Sequence, residues 1–385
     1  MRLAVSREPG AEREVSPLEL FFDLVYVFAI GELSHHLAAH VELRTGAETL
    51  VMALAVYYAW NMTAWGTNWL DPDRLTVRIV LVGLTFASLL MSVAIGDAFD
   101  GLAWLFVTGY LVLQVGRSAF LIVALRGRVQ GEHFVNVLVW ELLSAPFWVV
   151  GAIAGSDARL VLWALAVVVA YSGAWLLHWL PRRGRRTDIR HTEIAAGHLI
   201  ERFRLFFLIM LGEAVLTSGT AFTGESFAAG RLLALAIGFA GTVALWWCYF
   251  QRTEGVGVEL ADTQEGAGTV GWWGTLTLTL IVLALIAIAV GDELAIAGPG
   301  EDATLGFTLL TFGGPMLFLF AQALFLRAAL DRVPRSRPLA LAALAILALA
   351  TAPLTLIAGI AASSAVLVAV AVADTVREGA RPSRA

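Results

Sequence analysis

The chain has 385 residues, of which 59% are hydrophobic and only 15% are charged, and its mean hydropathy is +0.78. Water-soluble domains carry about 25% charged residues, so this composition excludes a soluble globular protein. All 26 basic residues are arginine, which excludes a P-loop ATP site and a lysine Schiff base. The single cysteine, Cys248, excludes an internal disulfide, and the net charge of −5 gives no indication of nucleic-acid binding.

Twelve apolar segments approach the length of about 20 residues that a helix needs to cross the hydrocarbon core of a bilayer. They are 17–39, 48–69, 76–97, 102–125, 134–154, 159–180, 196–220, 230–250, 270–291, 304–326, 339–358 and 361–376. The last two share the apolar stretch 339–373, which is divided only by a break from Gly359 to Ser364; one tilted helix with a tail is the alternative. We therefore predict an all-α polytopic membrane protein with about 12 transmembrane helices.

The arginines indicate the orientation, because cytoplasmic loops carry the excess of basic residues. With the N-terminus inside, 20 of the 26 arginines lie on the cytoplasmic side, and only Arg44, Arg159 and Arg231 lie on the opposite side. This bias predicts an even number of helices and places both termini in the cytoplasm. Acidic residues in the first apolar segment are unlike a secretory signal, so we expect this segment to be retained as a helix.

Short motifs recur in the same order in the two halves of the chain. They are Gly31-Glu32 with Gly212-Glu213, Ala94-Ile95-Gly96-Asp97 with Ala289-Val290-Gly291-Asp292, and Ser144-Ala145-Pro146 with Thr351-Ala352-Pro353. Six helices in each half would give both halves the same orientation, so we predict two parallel six-helix repeats. The predicted domains are an N-terminal repeat at 1–180, a basic cytoplasmic linker at 181–193, a C-terminal repeat at 194–376 and a cytoplasmic tail at 377–385.

Two sequence motifs resemble a known family. The segment Pro-Leu-Glu-Leu-Phe-Phe-Asp-Leu-Val-Tyr-Val-Phe at 17–28 resembles the opening motif of the bacterial low temperature requirement A (LtrA) family. The stretch from His198 through Glu201-Arg202-Phe203 to Gly212-Glu213 is similar to that family's second hallmark. The resemblance covers nearly the whole chain. It implies a multi-pass protein of the bacterial cytoplasmic (inner) membrane, but it supplies no biochemical activity.

A second resemblance concerns the first helix alone. Phe21-Phe22-Asp23, followed by an apolar helix, resembles the Phe-Ser-Asp motif of a lysosomal potassium-channel family that also uses six-helix units. This chain has Pro17 where that family has arginine, and Phe22 where it has serine. The resemblance implies a gated cation channel as an alternative function.

Ionisable groups inside spans cost about 2.5–3.5 kcal/mol each on insertion scales, so they normally face the bundle interior. We predict Asp23, Glu32, Asn61 and Glu213 as candidates for binding a transported solute or ion. Burial raises the proton affinity of a carboxylate, so Glu32 and Glu213 would suit proton coupling between the two halves. The alternative is that these side chains only join helices by hydrogen bonds.

Further ionisable residues are candidates for a gate or for ion pairs: Glu19, Arg117, Glu141, His198, Glu201 and Arg202. Ser16, Pro17 and Glu19 also fit a helix cap, in which case Glu19 is structural. The other five divide into two groups. The three residues that open helix 7 could gate the inner mouth or anchor the helix, and the pair from helices 4 and 5 is expected at one level as an ion pair.

Asp97 and Asp292 close predicted helices 3 and 9 on the outer side, where they could attract cations to a vestibule. The alternative is that outer acids only mirror the positive-inside bias. Glu32, His36 and His40 share a helical face and are weak candidates for a metal site, with interfacial histidines in water as the alternative. We expect no metal and no cofactor.

The sequence favours a secondary transporter of a small solute or cation, with proton coupling through buried carboxylates. The alternatives are a gated cation channel and a membrane-embedded enzyme or sensor that acts on lipid. We find no catalytic constellation, so we expect no enzyme activity. The expected partners are the lipid bilayer and an unidentified small solute or cation, and we expect no binding to nucleic acid. A homo-oligomer is compatible with the sequence.

Overall fold

The structure, a computed structural model, describes residues 15–181, 196–223, 228–254, 264–351 and 354–379. These residues form twelve α-helices and no β-strand. The helices are α1 Pro17–Ala39, α2 Leu43–Thr67, α3 Leu75–Val93, α4 Ala103–Ala124, α5 Val129–Ile153, α6 Ser156–Trp175, α7 Ala196–Thr223, α8 Ala229–Cys248, α9 Gln264–Ala297, α10 Leu305–Leu330, α11 Ser336–Thr351 and α12 Leu356–Gly379. A π-helical turn, Tyr249–Glu254, follows α8.

Nine helices in the described part of the chain are long and apolar enough to cross a membrane, namely α3 to α10 and α12. The other three are α1 and α2, which carry more polar side chains, and α11, which is apolar but has only 16 residues. The protein is therefore a multi-pass membrane protein. The linker predicted at 181–193 and the last residues of the tail fall almost wholly outside the described residues.

The apolar stretch near the C-terminus forms two helices, but the predicted position of the break is wrong. α11 ends at Thr351 and α12 begins at Leu356, so Gly359 and Ser364 lie inside α12. A Cβ atom on Gly359 would come within 2.8 Å of the Phe307 ring, which indicates that this glycine allows close packing rather than interrupting a helix.

The described residues form two compact units. The N-terminal unit contains those up to His36 together with Leu43–Arg202, and the C-terminal unit contains Leu37–Glu42 together with those from Phe203 onward. In the N-terminal unit α3 packs on α4, α4 on α5, α5 on α6, and α2 on both α4 and α6. In the C-terminal unit α9 packs on α10, α10 on α11, α11 on α12, and α8 on both α9 and α12.

The start of α1 follows from its sequence. Pro17 is the first helical residue, and its fixed φ suits that position. The Glu19 carboxylate accepts a hydrogen bond of 3.0 Å from the Ser16 backbone N–H, and the Glu19 N–H donates to Ser16 Oγ at 3.3 Å. This is a capping box, which fixes the Glu19 carboxylate at the N-terminal end of the helix.

Candidate functional site

The acids of α1 meet the first turns of α7 inside the N-terminal unit. Arg202 donates hydrogen bonds to Glu19 Oε1 at 3.1 Å and to Asp23 Oδ1 at 2.6 Å. His198 Nε2 lies 3.4 Å from Glu19 Oε2. All four side chains are at most 3% exposed. Residues four apart share a helical face, so Glu19 with Asp23, and His198 with Arg202, present two side chains each to this cluster.

Helix α2 completes this cluster. Trp60 Nε1 donates a 2.7 Å hydrogen bond to Asp23 Oδ1, and the Arg202 guanidinium lies 5.9 Å from the centre of the Trp60 ring. Arg202 also donates to Thr67 Oγ1 at 3.4 Å. We call Glu19, Asp23, His198 and Arg202, with Trp60 and Thr67, the Arg202 network.

Among the residues that the structure describes, the Arg202 network contains two carboxylates and one guanidinium, so these side chains carry one excess negative charge when both acids are ionised and His198 is neutral. Three of its buried polar atoms have no hydrogen-bond partner among the described residues: Asp23 Oδ2, His198 Nδ1 and Arg202 Nε. A buried charge without compensation is strongly unfavourable. The arrangement can therefore take up one proton or one cation, and Asp23 Oδ2 is the carboxylate oxygen left free to bind it.

A second network in the same unit is balanced in charge. Arg117 of α4 forms an ion pair with Glu141 of α5, and both side chains are 2% exposed. Arg117 also donates to Gln114, to the Ala59 carbonyl at 3.3 Å and to Thr63 Oγ1 at 3.4 Å. The structure thus brings together Arg117 and Glu141, which the sequence predicts to lie at the same depth in neighbouring helices. Through their contacts they connect α2, α4 and α5.

Other predicted transport residues lie outside these networks. Glu32 and Glu213 are only half-buried, and they belong to different units. Glu213 accepts a hydrogen bond of 3.4 Å from Thr217, one turn along the same helix. Asn61 is buried, whereas Glu201 is half-buried and takes no part in the Arg202 network. The fully buried acids of α1 are thus Glu19 and Asp23 rather than Glu32.

The expectation that Asp97 and Asp292 end equivalent helices is wrong. Asp97 is exposed in the turn that follows α3. Asp292 is buried and lies inside α9, which continues to Ala297. The longer run of α9 encloses Asp292 within the bundle, so this residue does not line an exposed vestibule.

The weak metal candidates do not form a site in the described part of the chain, where no group of three His, Cys, Asp or Glu side chains could hold a metal ion. His36 instead lies 3.3 Å from Glu48 and 3.3 Å from the Gly96 carbonyl oxygen. His40 is exposed just beyond α1.

Sequence reasoning missed a buried network in the C-terminal unit. Arg337 forms an ion pair with Asp374 and donates to Gln322 Oε1 at 3.0 Å, and Ser336 Oγ donates to Asp374 at 3.2 Å. Arg337 and Asp374 are both fully buried. A usable signal exists in the sequence: Arg337 directly precedes the predicted helix at 339–358, and Asp374 lies near the end of the neighbouring helix at 361–376, so antiparallel packing brings the two to one level.

It also missed a buried pair of histidines in the N-terminal unit. The rings of His133 and His178 are 5.2 Å apart, and Tyr58 Oη lies 3.3 Å from His178 Nε2. Burial lowers the pKa of His178, just beyond α6, well below its ordinary value, and the neighbouring His133 and Arg117 lower it further.

Comparison with known proteins identifies the family but adds no activity. The family model described as bacterial low temperature requirement A protein (LtrA) matches residues 14–373. An uncharacterized protein of Rhizobium meliloti (strain 1021) is 34% identical over 317 residues, which cover 81% of this chain and 77% of the relative. No solved structure gives a significant match. The predicted family is confirmed: the chain belongs to the bacterial low temperature requirement A family.

Proposed function

We propose that the protein is a secondary transporter of a small solute or cation in the bacterial cytoplasmic membrane, coupled to protons through the Arg202 network. The observation that carries this proposal is the buried Asp23 carboxylate: its Oδ1 shares Arg202 with Glu19, and its Oδ2 has no hydrogen-bond partner among the described residues. A second acid on the same arginine is not needed to join two helices, since the pair Arg117–Glu141 does so with one acid.

Because Arg202 is shared by Glu19 and Asp23, its hydrogen bonds differ between the ionised and the protonated state of Asp23. When Asp23 is ionised, its carboxylate pairs with Arg202 and accepts from Trp60. When Asp23 takes a proton, its ion pair with Arg202 weakens, and Glu19 becomes the principal partner of the guanidinium. A carrier needs two states that a bound ion or proton favours differently, and this exchange of partners provides them.

The wider architecture supports transport but does not name the substrate. The arginine bias favours cytoplasmic termini, and the recurring motifs favour two parallel six-helix repeats, an arrangement known in secondary transporters. Architecture supports transport by analogy alone, so the proposal depends on the Arg202 network.

The test is charge movement in proteoliposomes on a solid-supported membrane, screened with sodium, potassium, protons, divalent cations and small metabolites. We expect a transient, substrate-dependent current that Asp23→Asn abolishes. Asp71→Asn is the matched control, because Asp71 pairs with Arg74 at the protein surface and has no place in the Arg202 network. Size-exclusion profiles and thermal midpoints would show that both variants are folded.

Each other outcome contradicts the proposal in a distinct way. A normal coupled current in folded Asp23→Asn would remove the Arg202 network from the mechanism. A sustained current down the gradient of one cation would identify a channel. Silence of the folded protein across the panel, together with altered lipid composition in a deletion strain, would favour an enzyme or sensor acting on lipid.

A further inference from the structure

The C-terminal unit encloses a small polar cavity between α8, α9, α10 and α12. Its polar lining is Asp292, Thr311, Ser363 and Ser364, beside Gly241, and apolar side chains close the remainder. The cavity measures about 10 Å³, which is room for roughly one water-sized particle. We call it the Asp292 cavity.

Asp292 has no compensating charge around it. The side chain is 7% exposed, and no residue that the structure describes forms an ion pair or a hydrogen bond with its carboxylate. The other buried acids described above each contact an arginine: Glu19 and Asp23 contact Arg202, Glu141 pairs with Arg117, and Asp374 pairs with Arg337. An acid in a span without a partner is costly, so a proton or a bound cation must neutralise it.

The hydroxyl groups around Asp292 supply further oxygen ligands. Thr311 Oγ1 is buried and has no hydrogen-bond partner among the described residues. Ser363 Oγ donates to the Thr311 carbonyl at 2.8 Å, which leaves the oxygen lone pairs of Ser363 available. Ser364 Oγ faces Gly241, where a Cβ atom would come within 2.7 Å of it.

We propose that the Asp292 cavity binds one small monovalent cation, held by the Asp292 carboxylate and the hydroxyl oxygens of Thr311, Ser363 and Ser364. One carboxylate with neutral hydroxyls balances a single positive charge. A divalent ion is disfavoured, because Ca²⁺ takes six to eight oxygen ligands and Mg²⁺ usually keeps several waters, for which this cavity has no room. The inference does not rest on the transport proposal, since it concerns binding within the C-terminal unit alone.

Na⁺ is the probe for the test, and thermal unfolding of the full chain in detergent is the measurement. Choline chloride replaces NaCl at constant ionic strength. A ligand that binds only the folded state stabilises it until the site is full, so the unfolding midpoint should rise with Na⁺ and then level off. Asp292→Asn should abolish the rise, and Thr311→Val should increase the half-saturating Na⁺ concentration by about tenfold.

Two further variants separate binding from folding. Gly241→Ala narrows the cavity without touching its charge, and we expect it to weaken the Na⁺ response. Asp302→Asn is the matched control: it removes the same charge from an exposed position in the same unit and should leave the Na⁺ response intact. The proposal would be overturned by a full Na⁺ response in Asp292→Asn, or by a wild-type midpoint that depends on pH but not on Na⁺, which would assign a proton alone to Asp292.

Discussion

Arg202 is shared between two carboxylates, whereas Arg117 and Arg337 each pair with one. In a low-dielectric interior, a balanced pair can persist without a ligand, but an excess acid requires a proton or a cation. The number of acids around each arginine therefore separates structural pairs from a candidate functional network.

The balanced pair of Arg117 and Glu141 leads to a double-mutant prediction. Arg117→Met alone leaves Glu141 buried without its partner, so we expect a loss of about 3–5 kcal/mol in unfolding free energy. The double variant Arg117→Met with Glu141→Leu should recover most of this loss, because neither charge remains. Equilibrium unfolding in detergent measures the unfolding free energy of the two single variants and of the double variant. If the loss in the double variant equals the sum of the losses in the two single variants, Arg117 and Glu141 do not form a direct pair.

His178 predicts a loss of stability in acid. Its pKa is lowered in the folded protein by burial, so the unfolded chain binds a proton first as the pH falls. The contribution of His178 is therefore complete above the unfolded pKa of about 6.5 and is lost progressively below it. Thermal midpoints between pH 7.5 and pH 5 should fall less steeply in His178→Asn, which tolerates the left-handed backbone at this position. Equal slopes would exclude His178 as a source of the pH dependence.

At the scale of helices, one glycine in each unit allows a close crossing. A Cβ atom on Gly109 would lie 2.7 Å from the Ala87 carbonyl oxygen and from the Met91 nitrogen, where α3 meets α4. A Cβ atom on Gly314 would lie 3.0 Å from the Ala284 carbonyl oxygen, where α9 meets α10. At Gly109 the nearest atoms are backbone, so a larger residue there requires a helix to move; at Gly314 the Ile288 side chain, 2.7 Å away, is nearer than the backbone.

These contacts predict that Gly109→Ala destabilises the protein by about 1–3 kcal/mol through overpacking. Gly116→Ala is the matched control on the same helix, because its nearest neighbour would be Leu84 Cδ2 at an ordinary 3.7 Å. The control should be neutral or should stabilise by up to about 1 kcal/mol, as alanine favours helix. Thermal unfolding of both variants gives the comparison, and equal effects would contradict a tight crossing of α3 and α4.

The two crossings also bear on how the halves correspond. Ala87 and Met91 of α3 lie against Gly109 as Ala284 and Ile288 of α9 lie against Gly314. Ala284 lies 197 positions after Ala87, and Ile288 lies 197 positions after Met91. The motif match that aligned Asp97 with Asp292 is displaced by 195. If the halves are repeats, packing therefore assigns Ile95 to the position of Asp292. This shift of two residues accounts for one acid that is exposed and one that is buried.

At the scale of the molecule, the sequence was sufficient for the number of helices in the described residues but not for all of their ends, because each span needs its own run of apolar residues. It also indicated the cap at Glu19 and the level of Arg117 and Glu141, which follow from spacing along helices. It could not show that Arg202 faces Glu19 and Asp23, since these contacts join α7 to α1 across 183 and 179 residues. Nor could it distinguish the half-buried Glu32 from the buried Asp23, because both lie in the same apolar helix.

The last helices decide the topology of the whole chain. α11 has 16 residues and is about 24 Å long, which is less than the hydrocarbon core of about 30 Å. An even number of spans with both termini inside nevertheless requires α11 to cross. The turns at its two ends, around Arg332 and Leu354, should then lie on opposite sides of the membrane.

Labelling with a membrane-impermeant maleimide tests this topology, and the chain suits it because Cys248 is its only cysteine. In a Cys248→Ala background, Leu354→Cys should react in intact cells, and Arg332→Cys should react only after lysis. Gly101→Cys, in the turn between α3 and α4, is the control for the outer side. If both test positions react only after lysis, α11 does not cross; α12 alone then carries the chain across, and the C-terminus lies outside.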